Sequence, residues 1–111
     1  MAAVVHDLLR RGVSVIAEGN FRPESSLVRD LPPCRLVQVH VSAAPEAIRE
    51  RLLARGADRH PVHYDGDAAD EIAERARNGE WDALAIGGEL VAVDTTAGFP
   101  DPRIVARSVS A

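Results

Sequence analysis

Short β-branched runs alternate with stretches of helical periodicity along these 111 residues, and this alternation directs the chain towards an α/β layer with parallel strands. Residues 13–17 (VSVIA), 34–41 and 89–93 read as strands of the buried, parallel kind. Between and around them lie helical patterns. Residues 2–11 put Val5, Leu8 and Leu9 on one face, and Gly12 stands where a helix ends in a left-handed residue. Pro23 and Pro32-Pro33 bracket two helical turns over 23–30. Pro45 and Glu46 open a helix that Ile48, Leu52 and Leu53 make amphipathic and Gly56 closes. Asp67 can cap a further helix to about 78–79, with Ala69, Ile72, Ala73 and Ala76 on one face. Asp101-Pro102 begins a last one, and residues 58–66 have no regular period.

Residues 83–86, Gly87-Gly88 and 89–93 read as a hairpin on a Gly-Gly turn. Three strands are few for a sheet wound on both faces, which commonly has about five or more. The expectation is therefore a single domain over 1–111 that forms the latter part of a larger α/β domain. At 46% hydrophobic residues the chain can build one packed core. A net charge of −4 argues against nonspecific binding to nucleic acid, and no apolar run approaches the roughly 20 residues of a bilayer span. A single cysteine, Cys34, excludes an internal disulfide, so the expected location is the cytoplasm.

All 13 basic residues are arginine. Schiff-base chemistry, or the lysine of a phosphate-binding loop, therefore cannot come from these residues. Candidate sites gather instead after the strands, where open α/β sheets hold their ligands. Glu18 follows the first run, with Asn20 and Arg22 in the same turn; it either serves a site or caps and solvates a loop. Arg51 and Arg55 share one side of a helix and Arg59 follows it, so three guanidinium groups can meet an anion such as phosphate, or form a solvated charged face. Asp94-Thr95-Thr96 follows the last strand, as a ligand-binding turn or an Asx-type turn. His60, His63 and Asp65, with His40 at a strand end, could hold a metal; no helix fixes the pair, and a structured loop accounts for it as well. Nothing supports a serine or cysteine nucleophile.

Taken in order, residues 12–21 (GVSVIAEGNF), the strand to Val41 followed by Pro45-Glu46 and Arg51-Leu-Leu-Ala-Arg55, the Arg59-His-Pro61 loop and the 91–96 run (VAVDTT) resemble P-loop kinases and ATPases. The flavour is that of the AAA-type ATP-binding proteins similar to small-molecule and polynucleotide kinases. The resemblance starts partway into that domain: the family's Gly-x-x-x-x-Gly-Lys-Ser/Thr loop is absent, and its first two strands and phosphate loop would lie upstream of Met1. It implies a partial P-loop NTPase-like three-layer fold with a parallel sheet, ATP and Mg2+ as cofactors, and a small hydroxylated acceptor as substrate.

The resemblance also assigns roles. Glu18 matches the acid that helps hold magnesium or the acceptor, and Asn20 and Arg29 match acceptor-side positions. Arg51, Arg55 and Arg59 match the mobile lid that neutralises the transferring phosphoryl group. Asp94 and Thr95 match the turn close to the nucleotide base. The resulting expectation is phosphoryl transfer from ATP in the complete protein, with little or none by these residues alone. The alternative is a noncatalytic module that pairs through an exposed sheet edge, by self-association or with an N-terminal partner segment. A metal-dependent hydrolase built on His60, His63 and Asp65 is a third.

Overall fold

The structure, a computed structural model, describes residues 2–58 and 68–110. Its elements are α1 (Ala2–Arg10), β1 (Val37–Ser42), α2 (Pro45–Asp58), α3 (Ala69–Arg77), β2 (Glu89–Asp94) and α4 (Pro102–Ser110). The fold is mixed α/β with a two-stranded parallel sheet, β1 beside β2. Bonds from Glu89 N to Leu36 O (2.9 Å) and from Thr95 N to Ser42 O (2.7 Å) keep one offset at both ends of the ladder, so no bulge interrupts it. Parallel neighbours need a long crossover, and α2 and α3 supply it. Two compact units divide the chain: Met1–Gln38 with Ala83–Glu89, and Val39–Asp82 with Leu90–Ala111.

In the first unit, α1 closes as the glycine signal predicts. Gly12 has φ +78°, Gly12 N donates to Leu9 O (3.0 Å), and Val13 N donates to Leu8 O (3.0 Å), which together form a Schellman cap. His6 Nε2 donates to Leu27 O (3.0 Å), tying α1 to the turns over 22–29, where Leu27 is the buried side chain. Those turns replace the expected helix over 23–30. Ser25 Oγ accepts the Leu27 amide (3.3 Å) and Asp30 takes φ +53°, so local side-chain bonding and a left-handed residue displace the helical ladder.

Two further expectations fail in this unit. Residues 13–17 form no strand, and Ile16 is 98% exposed; a β-branched run becomes a strand only beside a partner edge, and none lies against it among the described residues. Residues 83–86 are not a hairpin arm either. Leu84 pairs with the side chain of Gln38, its N–H to Oε1 (2.8 Å) and its carbonyl from Nε2 (3.0 Å), so an amide group stands in for a neighbouring strand. Gly88, at φ +75°, brings its backbone so close to Leu36 that an added Cβ would lie 2.5 Å from Leu36 O. The Gly-Gly pair thus feeds β2 in alongside β1 and does not fold it back.

The second unit packs α2 against α3. Ala69 and Ala73 on the expected face are buried. Arg77, at the end of α3, pairs with Glu46 at the start of α2, and Arg49, further along α2, pairs with Asp70 at the start of α3 (2.5 Å). The expected cap Asp67 lies outside the described residues, and α3 starts after Ala68 with no side-chain cap. Its other end is a second Schellman cap, from Gly79 N to Ala76 O (3.1 Å) and from Glu80 N to Arg75 O (3.2 Å). Here the two cap positions that often share a hydrophobic contact, Arg75 and Glu80, form a bidentate ion pair at 2.6 and 2.7 Å. Asp101 caps α4 by accepting the Arg103 amide (2.9 Å), with Pro102 at the first helical position. No helix among the described residues is long and apolar enough to cross a membrane.

Candidate functional site

Both strands of the second unit end in short turns, and hydrogen bonds between them build the candidate site. β1 runs through Ser42 into Ala44, the residue before α2, and β2 runs through Asp94 into Thr95 and Thr96. Thr95 is 3% exposed. Its amide and its hydroxyl both donate to Ser42 O, at 2.7 and 2.9 Å. Asp94 forms the Asx-type turn, Oδ1 accepting the Thr96 amide (2.9 Å) and hydroxyl (2.6 Å). The Thr96 hydroxyl in turn accepts the Ala44 amide (2.8 Å), so the side chain of one turn holds the backbone of the other.

Arg51, two helical turns into α2, completes this clasp. Nη1 donates to Thr95 Oγ1 (3.1 Å) and Nη2 to Thr95 O, with a longer contact to Thr96 O (3.5 Å). Its guanidinium carbon lies 5.5 Å from the centroid of the Phe99 ring, in cation–π contact. Hydrogen bonds from the Thr96 hydroxyl and amide hold the Asp94 carboxyl below its ordinary range; burial opposes them, and the Arg51 charge adds a lesser lowering. Asp94 is therefore an anion at neutral pH. Behind the clasp, an open cleft of about 280 Å³ is lined by residues that include His40, Ile48, Ala76, Trp81 and Thr95. His40 Nε2 donates to Trp81 O (2.8 Å), which anchors the imidazole at the cleft.

Of the residues singled out in the sequence, Arg51, Asp94 and Thr95 come together here. Arg55 is exposed one turn further along α2. Arg59, His60, His63 and Asp65 lie outside the described residues. Glu18, Asn20 and Arg29 are exposed residues of the first unit, in its irregular stretch. No group of three or more histidine, cysteine or acidic side chains is placed to hold a metal among the described residues. Sequence reasoning missed Phe99, a residue 81% exposed, and the role of Thr96 as the link between the turns. The signal for Phe99 was an aromatic residue, rare in this chain, beside Gly98 and five residues beyond a strand end. The chain matches no protein-family model, no curated protein and no solved structure.

Proposed function

We propose that this chain is the acceptor-side and lid part of an ATP-dependent phosphotransferase of P-loop kinase type, acting on a small hydroxylated acceptor with Mg2+. The observation that carries the reading is Arg51 seated on the turn at the carboxyl end of β2, joined to Thr95 and beside the Asp94 carboxylate. Open parallel sheets hold ligands at that edge, and a cation reaching it from the following helix suits a phosphorylated ligand. Arg55, one turn further along α2, supplies a second guanidinium on the same side. In this reading Arg55 and Arg59 neutralise the transferring group, and Arg51 fixes the turn beside the base. Glu18 and Asn20 serve magnesium and acceptor. The phosphate-loop lysine comes from outside these 111 residues, which hold none.

Titration calorimetry of the purified chain with Mg-ATP, alongside a circular dichroism melt of the same sample, tests this. A weak nucleotide site with Kd of about 100 µM is expected, since the phosphate-cradling amides are not supplied. A chain that melts cooperatively yet gives no binding heat in millimolar Mg-ATP overturns the proposal. A second reading, a noncatalytic module pairing through its sheet, is favoured by the exposure of Val39, Val41 and Leu90 on the two strands, and concentration-dependent sedimentation tests it.

A further inference from the structure

The clasp leaves the Phe99 side chain in water close to the strand end. Phe99 is 81% exposed, although it follows a turn that is otherwise tied down by hydrogen bonds. An isolated surface phenylalanine needs no explanation, but this ring stands against a cation. The Arg51 guanidinium lies over it at 5.5 Å, and that guanidinium is itself pinned to Thr95 Oγ1 and to the Thr95 carbonyl. The chain reaches the ring through Gly98 at φ +136°, a conformation closed to residues with a Cβ, so the backbone course to Phe99 is set as well.

We infer that Arg51 is a positioning residue that holds the Phe99 ring as a flat platform, and that the open face of this ring stacks a planar heteroaromatic base. The inference rests on the phosphotransferase reading above, and it names the part of the nucleotide that the second unit takes. Stacking on an aromatic face tolerates any base, since every base has a π-face, and a ring already held in place loses little freedom on binding. The guanidinium on one face draws π density towards itself, which favours stacking of an electron-rich base on the other. Arg51 thereby acts on the ligand through Phe99, its Nη1 and Nη2 groups bonding to the 95–96 turn.

The test titrates the whole chain with Mg-ATP, with adenosine and with inorganic triphosphate, in the unsubstituted form and as Phe99→Leu, Arg51→Gln and the double variant. Phe99→Leu should weaken ATP and adenosine about tenfold each and leave triphosphate unchanged. Its melt should stay put, because the ring is largely in water. Arg51→Gln should weaken adenosine as well, and the double variant should lose little beyond the larger single loss, as expected of two groups acting as one. Undiminished adenosine affinity in Phe99→Leu overturns the inference while leaving the phosphotransferase reading intact. If none of the three ligands binds the unsubstituted chain, the reading and the inference fall together. Triphosphate binding without adenosine binding overturns the inference alone.

Discussion

At the residue scale, the clasp depends on a carboxylate that must stay charged. Asp94 accepts two hydrogen bonds from Thr96 and sits near Arg51, which favours its anion and lowers its pKa on folding. A group whose folded pKa is depressed stabilises the fold above its unfolded pKa, about 3.9 for Asp, and loses that contribution as the pH falls through the folded value. Glu89 and Asp101 are lowered in the same direction by Arg35 and Arg103, so an acid-induced loss in the parent chain alone would not identify Asp94. The comparison with Asp94→Ala does. Its melting temperature should lie below the parent's at pH 7, and the gap should narrow as the pH falls below the ordinary carboxylate range and through the lowered folded value. A gap of constant size across that range would show that the charge is not what holds the turn. Much of this was legible in the sequence: an Asp-Thr-Thr run after a strand is an Asx turn in waiting. That Arg51 would lie on it was not, because helical spacing sets which residues share a face and leaves the contact across to the strand end to tertiary packing.

Among the elements, glycine positions separate what local sequence decides from what neighbours decide. Gly12, Gly79 and Gly88 all have φ near +75 to +78°. At Gly12 an added Cβ meets nothing within 4 Å, so Gly12→Ala carries only left-handed strain, about 1–2 kcal/mol. At Gly79 it would lie 2.8 Å from Asp82 Oδ2, the end of a side chain that can swing away, so a similar cost is expected. At Gly88 it would lie 2.5 Å from the Leu36 carbonyl, which accepts the Glu89 amide and starts the ladder between β1 and β2. Moving that carbonyl adds the loss of a backbone hydrogen bond to the strain, for a total of about 2–3 kcal/mol. Urea unfolding of the three alanine variants should rank Gly88→Ala as the most damaging, and equal losses at all three would refute this account of the Gly88 contact. The helix stops at Gly12 and Gly79 could be read from the sequence because a Schellman cap is local. The role of Gly88 could not. A Gly-Gly pair between two apolar runs is the signature of a hairpin, and only the parallel partner β1, some 50 residues earlier, converts it into a strand entry. Residues 13–17 teach the same lesson from the other side: β-branching makes a strand available and the partner makes it one.

For the molecule as a whole, the alternation of elements led correctly to a mixed α/β chain with parallel strands, and the extent of the sheet is where the sequence reading overshot. Among the described residues the sheet has two strands, so each has one edge without a backbone partner. Two-stranded sheets are marginal alone, and this one leaves Val39, Val41 and Leu90 at 41, 59 and 56% exposure. Among the described residues, the buried side chains, Leu27, Ala69, Ala73, Val93 and Thr95, include none larger than leucine. Such a sheet gains more than most from a further strand, which would cover the valines and satisfy the open edge together. If a second copy supplies it, the sedimentation coefficient should rise with concentration, and Val41→Lys should return the chain to a monomer. Lysine on an edge strand opposes pairing while leaving the strand itself tolerable, because Val41 is more than half in water. Association that persists unchanged in Val39→Lys and Val41→Lys would move the contact elsewhere. A monomer at every concentration, melting cooperatively, would remove the interaction-module reading and leave nucleotide binding at the strand ends to stand or fall on its own titration.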